Sequence, residues 1–358
     1  MEKRTEKLSR ILNELNIDGL FITDLYNIRY FTGFTGTTGV ALATKNGNFF
    51  FSDFRYKAQA TKQVTEMGFE FVEVSRGSLQ TVGEYIKKFG LKNVGFEDIN
   101  VSFSLYQTIK DIFKVELVPV GNKLIMERMV KSDEEIALIK KAVEISDAAF
   151  SEALKIIKEG VSEKEVSSYM EYIQRKLGAD DRSFTTIFAS GYRSAMPHGV
   201  ASDKKIQKEE FITMDFGAYY EGYVSDITRT VYYGNNITDR HKEIYNTVLE
   251  AQLLGIETIK EGVMSDEVDK VVRNFFNEKG YGKYFGHGLG HGIGAEIHEL
   301  PYLSSASQIE LKENMVVTSE PGLYFDGWGG VRIEDDVVVK KDGREVLNKS
   351  NKELIILS

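Results

Sequence analysis

Residues 285–301 read FGHGLGHGIGAEIHELP and hold three of the chain's five histidines, His287, His291 and His298. Glycines alternate at 286, 288, 290, 292 and 294. An extended backbone would therefore set one nearly bare face against a neighbour and turn His287, Leu289, His291 and Ile293 the other way. On such a strand His287 and His291 lie roughly 13 Å apart at about 3.3 Å per residue, too far to ligate one ion together. One is then a candidate ligand and the other a candidate substrate contact. His298, just ahead of Glu299 and Pro301, can close the same site from another side. Alone, the stretch also reads as a glycine-rich loop with incidental histidines, so the rest of the chain has to supply the partners.

Composition narrows the kind of partner. A chain of 358 residues is long for one hydrophobic core, which favours two domains. Hydrophobic content of 42% and charged content of 28% are those of an ordinary soluble globular protein. The net charge of -9 argues against nucleic acid as the main partner. With no cysteine, any metal must be held by His, Asp and Glu, a set that suits Mn, Co, Fe or Zn. The charged N-terminus MEKRTEKLSRILNELNIDG lacks the apolar centre of a signal peptide, and no apolar run approaches a membrane span. A cytoplasmic protein with no membrane partner is expected.

Along the chain, Leu8, Ile11, Leu12 and Leu15 keep helical spacing, and residues 19–22 read as a short buried strand. Asn46-Gly47 between two β-type runs signals a hairpin. Strand, helix and strand continue to Val120, giving an α/β N-terminal domain over residues 1–125. Ser132 with Glu135 forms a capping box ahead of a long helical stretch closed by Gly160, and Ser162 with Glu165 opens a second helix to about Leu177. The second domain, residues 126–358, turns β-rich after Gly178, and the whole reads as α+β.

Two acidic hairpins lie in that second domain. In MDFGAYYEGYVSDITRT (214–230) two β-type runs flank Tyr220-Glu221-Gly222. A tight hairpin there sets Asp215 opposite Asp226 on one face, where like charges are destabilising unless a cation neutralises them. A bulge in the turn would instead change the register and send one aspartate to solvent. Near the C-terminus, Glu320 and Glu334 flank a second glycine-rich reversal. Arg332, two residues before Glu334, falls on the same side of a strand and can pair with that carboxylate or orient it. Two acidic hairpins around a histidine-rich segment point to a carboxylate-rich metal site with few nitrogen ligands.

Asp215, Asp226, His291, Glu320 and Glu334 place four negative charges against the four positive charges of two divalent ions. Water or hydroxide bridging such ions is a nucleophile near neutral pH, so hydrolysis is the expected reaction. His198, His287 and His298 remain free to bind substrate or stabilise an oxyanion.

MPHGVASDK (196–204), MDFGAYYEGYVSDITRT, GHGLGHGIGAEIHELP (286–301), TSEPGLY (318–324) and GVRIEDDVVV (330–339) together resemble the pita-bread metallopeptidases, and among them the Xaa-Pro peptidases, prolidase and aminopeptidase P. The resemblance covers residues 125–358. NIRYFTGFTG and SDFRY earlier in the chain resemble the creatinase-type α/β domain that precedes the catalytic domain in these enzymes. It implies a dinuclear site, with Mn the first choice among Mn, Co, Zn and Fe. Asp215 would bind one metal, Asp226 and Glu334 would bridge, and His291 and Glu320 would hold the other. His198, His287 and His298 match substrate-side histidines, Arg332 matches the arginine beside the bridging glutamate, and Glu320 would shuttle a proton to the leaving amine. The implied substrates are short peptides with proline at the second position, cleaved by a homodimer. The compact chain favours a dipeptidase over an aminopeptidase P. Creatinase-type hydrolysis of a guanidino C–N bond and a noncatalytic binding role are the alternatives. The filled ligand set argues against both.

Overall fold

Leu8, Ile11 and Leu12 line one face of α1 (Arg4–Glu14) and are buried, which docks the helix on the first sheet. The computed structural model describes residues 3–75 and 77–358. The chain divides into two compact units, residues 1–128 and 129–358.

In the first unit β1 (Gly19–Ile22) is followed by α2 (Leu25–Thr32), β2 (Val40–Thr44), β3 (Gly47–Ser52), α3 (Lys57–Glu66), β4 (Glu70–Glu73), α4 (Ser78–Lys88), β5 (Asn93–Phe96), α5 (Phe103–Phe113) and β6 (Glu116–Pro119). The sheet order is β4-β3-β2-β1-β5-β6, with β2 antiparallel to both neighbours and the other five strands running one way. The expected hairpin is β2–β3, where Thr44 faces Gly47 across a loop of Lys45 and Asn46. α6 (Lys123–Met129) leads out of this unit.

The second unit begins with α7 (Asp133–Ala153) and α8 (Glu163–Lys176), each opened by the expected capping box. The helical stretch does not run to Gly160. It ends at Ala153 in tightened turns, with Lys155 and Ile156 N–H donating three residues back to Glu152 and Ala153, and beyond them Glu159 N–H donates to the Tyr233 hydroxyl and Gly160 N–H to the Ile206 carbonyl. After β7 (Asp181–Arg182) and β8 (Ile187–Ser190), the strands β9 (Glu210–Phe216), β10 (Ala218–Tyr220), β11 (Tyr223–Val224) and β12 (Ile227–Tyr233) form the first acidic hairpin. α9 (Asp239–Thr258) and α10 (Ser265–Glu278) follow. Then come β13 (Gly290–Gly292), β14 (Glu299–Leu303), β15 (Val316–Ser319), β16 (Gly322–Phe325), β17 (Gly329–Arg332), β18 (Asp335–Lys340), β19 (Gly343–Val346) and β20 (Ile356–Leu357). One sheet has the order β20-β12-β9-β8 and another β14-β13-β15-β18-β19.

Strand alternation sorts the side chains. Ile212, Met214 and Phe216 of β9 pack with Phe150, Val166 and Met170 of α7 and α8, which turns Thr213 and Asp215 to the opposite face. Val317 and Val337 pack with Val248 and Val272 of α9 and α10. The helices thus cover the outer faces and leave polar residues of both sheets inward. The result is a mixed α+β architecture.

Candidate metal centre

Asp215 pairs with Thr228, not with Asp226, in the β9–β12 ladder. The reversal is centred on Glu221 and Gly222, both at positive φ (45° and 91°), the two-residue turn whose twist matches the flanking strands. The sequence reading placed the centre one residue earlier. Along the observed register Asp226 falls opposite Gly217, two residues from Thr228, and a two-residue displacement leaves side chains on the same face. Both aspartates are buried, so neither is turned to solvent. Gly217 is needed there: a Cβ on it would stand 1.8 Å from the Ser225 carbonyl oxygen.

The second hairpin keeps the expected register. Gly322 faces Arg332 in β16–β17, and Ser319 faces Asp335 in β15–β18, so Glu320 and Glu334 meet at the junction between the two ladders. β13 brings in His291. Its neighbour Gly290 allows the close approach, since a Cβ there would lie 2.2 Å from the Thr318 carbonyl oxygen, and one on Gly292 would lie 2.4 Å from that of Leu300. At Gly290 and Gly292 the bare positions meet neighbouring backbone, as their spacing implied, but the strand is only three residues long and Gly286 meets nothing within 4 Å.

Ligand atoms of Asp226, His291 and Glu334 all lie within 4.8 Å of one another. His291 Nε2 stands 3.6 Å from Asp226 Oδ2 and 3.5 Å from Glu320 Oε1. Its Nδ1 lies 3.1 Å from the Gly292 carbonyl, which assigns the proton to Nδ1 and leaves the Nε2 lone pair facing carboxylate oxygens. Burial holds the imidazole neutral, with its pKa down at about 3. Acceptor therefore faces acceptor. Asp226 Oδ1 and Glu334 Oε1 are buried with no hydrogen-bond partner. Burial first, and then the neighbouring carboxylates, push Asp226 and Glu320 well above the usual carboxylate range and Glu334 up to about 8. A cluster of acceptors with no donor among them fits a divalent cation, and an all-oxygen-and-imidazole set fits Mn, Co, Zn or Fe.

Arg332 does not pair with Glu334. Its Nη2 donates to Asp215 Oδ2 at 2.6 Å and its Nε to Thr228 Oγ1 at 3.2 Å, while the Thr228 hydroxyl donates to Glu334 Oε2 at 2.7 Å. The arginine thus reaches the glutamate through Thr228. His198 sits exposed in a turn after Pro197, and His298 is exposed with its ring edge-on to His291 at 4.4 Å between centroids. Both line one cavity of about 720 Å³ with the five acidic and imidazole groups. His287 lines it too, but both its nitrogens are engaged: Nδ1 with the Gly288 carbonyl at 2.7 Å and Nε2 with the Tyr324 hydroxyl at 2.9 Å.

Tyr324 was not singled out from the sequence. Its hydroxyl also accepts from Arg332 Nη1 at 2.9 Å. Glycines make its slot: a Cβ on Gly322 would stand 2.4 Å from that hydroxyl, and Gly330, its cross-strand partner, has no side chain to block the ring. Asp335 and Asp336 were also passed over. Asp336 accepts the Asp226 N–H at 2.9 Å, and Asp335 holds Arg229, Gln252 and Lys352. Consecutive acids inside the apolar run VRIEDDVVV were the available signal.

Residues 137–341 match the family model of metallopeptidase family M24, and residues 4–130 that of the creatinase/prolidase N-terminal domain. An Xaa-Pro dipeptidase of Pyrococcus furiosus is 40% identical over 364 residues, covering 99% of this chain and 100% of that one. The solved Xaa-Pro dipeptidase from Bacillus anthracis superposes with a TM-score of 0.96 at 48% identity, covering 99% of each chain. The X-Pro aminopeptidase from Thermotoga maritima gives a TM-score of 0.89 at 40% identity over 97% of this chain and 100% of that one.

Proposed function

This chain belongs to metallopeptidase family M24, and from that premise we propose that it hydrolyses the bond between an N-terminal residue and a following proline. One observation carries the reading: His291 Nε2 and the carboxylates of Asp226, Glu320 and Glu334 converge with their acceptors inward and no donor between them. Asp215, Asp226, His291, Glu320 and Glu334 would hold two divalent ions, Mn first among Mn, Co, Zn and Fe. When bound, such ions supply Lewis acidity and lower the pKa of water toward neutrality.

The protein's own groups do the rest. Arg332 fixes Asp215 directly and Glu334 through Thr228, so two carboxylates keep their orientation in the absence of substrate. His198 and His298, on the cavity wall, offer ring N–H groups to the scissile carbonyl as its oxygen gains charge. Glu320 takes the proton from the attacking water and returns it to the proline nitrogen as the C–N bond breaks. That nitrogen carries no hydrogen in the substrate, so the site must act without a donor at that position. Apolar groups of Phe184, Ile187, Pro197, Val200 and Ile297 give the proline ring a wall to pack against.

A cytoplasmic homodimer completes the proposal, and light scattering of the purified protein reads the dimer. None of the described helices is long and apolar enough to cross a membrane. The deciding test compares Ala-Pro and Ala-Pro-Ala with Ala-Ala and Ala-Ala-Ala in the presence of Mn and then of chelator. Chelator-sensitive release of alanine from either proline peptide, and not from its alanine counterpart, supports the reading; equal or faster release from the alanine peptides, or release from none of the four, overturns it.

A further inference from the structure

Glu163 opens α8 and is wholly buried. Its Oε1 accepts the Ser190 N–H at 2.8 Å and the Ser190 hydroxyl at 2.9 Å. Its Oε2 accepts Arg193 Nη1 at 2.7 Å, the Ser202 N–H at 3.0 Å and the Ser202 hydroxyl at 2.6 Å. A buried carboxylate is costly unless donors surround it, and here these donors all come from one stretch of chain. Ser190 ends β8 and Ser202 lies beyond the turn at Pro197 and His198, so one side chain draws both ends of the 190–202 loop together. Lys204 Nζ, bonded to Ser190 Oγ at 2.8 Å and to Glu210 Oε1 at 2.8 Å, braces the same neck.

That loop carries Pro197, His198 and Val200 to the catalytic cavity, while Glu163 is not among the lining residues. Gly191–Ala195 makes a short 3-10 helix, and Met196 to Gly199 lie outside every helix and strand among the described residues. The turn's own main-chain bonds are local, from Met196 N–H to the Arg193 carbonyl and from Gly199 N–H to the Met196 carbonyl, and an isolated bridge joins Val200 to Ile187. Side chains supply the remaining hold. Arg193, with Nη1 on Glu163, donates from Nη2 to the Val200 carbonyl at 2.9 Å and so spans the turn that bears His198. The Ser194 hydroxyl accepts the Gly330 N–H at 2.8 Å, which ties the near side of the loop to β17, two residues before Arg332.

Resting on the reading above of His198 as a donor to the scissile carbonyl, we propose that Glu163 is a positioning residue for the hydrolysis: through Ser190, Arg193 and Ser202 it holds the 190–202 loop closed and keeps His198 in place on the cavity wall. Its effect on the rate passes through the loop, not through the metal ligands.

The test is a double-mutant cycle of Glu163→Gln and His198→Ala in the Mn-supplemented enzyme, with metal content measured beside kcat and KM. Glu163→Gln keeps the side chain's shape but turns one acceptor oxygen into a donor, so the neck loosens at Ser190 or at Ser202. It should lower kcat by about tenfold to a hundredfold with metal content unchanged, the cost of about 1 Å of misplacement. In the His198→Ala background the same change should lower kcat by less than about twofold, because the group it positions is gone. Equal losses in the two backgrounds, a missing metal equivalent, or a rise in KM at constant kcat overturns the proposal. Ser202→Ala, which leaves Glu163 and Arg193 in place, guards against misfolding of Glu163→Gln; it should lower kcat by about threefold, again only where His198 is present. Wild-type kcat in both variants overturns the proposal too. Rates are read on whichever of Ala-Pro and Ala-Ala is cleaved faster, so a lost proline preference defeats the proline-directed reading while the cycle still decides the role of Glu163. If neither is cleaved, that reading falls, and the His198 ring resonance, identified by its absence in His198→Ala, decides instead: a shift in Glu163→Gln supports the positioning and an unmoved resonance overturns it.

Discussion

The Tyr324 hydroxyl lies 2.9 Å from His287 Nε2, and because His287 Nδ1 is committed to the Gly288 carbonyl, the tyrosine donates and the histidine accepts. Arg332 closes the chain by donating to the same hydroxyl. His287 then acts on the cavity by aiming Tyr324. Tyr324→Phe removes the central link; the hydroxyl's one proton goes to His287, so what is lost is the positioning of His287 and Arg332, and kcat should fall by about tenfold to a hundredfold. His287→Ala should lower kcat as well while leaving metal content intact. Atomic-absorption analysis beside steady-state rates checks both, and loss of a metal equivalent from His287→Ala would refute the assignment.

Burial, with Arg332, His198 and Arg273 nearby, lowers the His287 pKa from 6.5 to about 4. The folded state therefore binds fewer protons here than the unfolded state between those values, so this residue's contribution to stability is complete above about pH 6.5 and is lost as pH falls through about 4. The His287 ring resonance, identified by its absence in His287→Ala, should stay flat from pH 8 to pH 5.5 and move near pH 4. A midpoint above 6 would contradict the buried, neutral ring.

Asp226 is buried beside Glu334, Asp215, Asp336 and Glu320, with one oxygen unpartnered. Asp226→Asn should abolish turnover. The metal-free variant should nevertheless melt above the metal-free wild type, since a repelling carboxylate is gone, whereas added Mn should raise the wild-type melting temperature far more than the variant's. Wild-type turnover in the variant with full metal loading would sink the assignment.

Gly290 has no room for a methyl group, as the obstacle is the backbone carbonyl of Thr318 rather than a movable side chain. Gly290→Ala should cost at least about 3 kcal/mol, or about 6–12 °C in melting temperature for a unit of this size. Gly286→Ala, where nothing lies within 4 Å, should change the melting temperature little. Differential scanning calorimetry of the pair tells whether the alternating glycines serve packing or only turn-making.

Much of this arrangement was legible because hairpins translate spacing into geometry. Glu320 and Glu334 are symmetric about a reversal whose register the strands preserve, so their meeting could be counted out along the chain. Asp215 and Asp226 show the limit. The turn took Glu221 and Gly222 at positive φ, which moved the centre by one residue and the pairing by two, and only the even shift kept both carboxylates on one face. For Arg332 the spacing left open a direct pair with Glu334 or an indirect hold on it; the indirect hold, through Thr228, is the one present, and the direct partner is Asp215, which strand alternation alone does not name. Tyr324 stayed hidden since its place depends on space left by Gly322 and Gly330, a property of three residues together. The helical stretch was carried too far toward Gly160 for a similar reason, since residues 159 and 160 bond to Tyr233 and Ile206, far away in the chain.

β18, which begins one residue after Glu334, is an inner strand of the five-stranded sheet, between β15 and β19. β18 thus enters the sheet beside β15, and β19 follows on its outer side. A chain cut between residues 291 and 334 carries Asp215, Asp226 and His291 without Glu334 and without the strand that follows it. The cluster of acceptors is then short of one carboxylate and of its support, so its assembly waits on the insertion of β18.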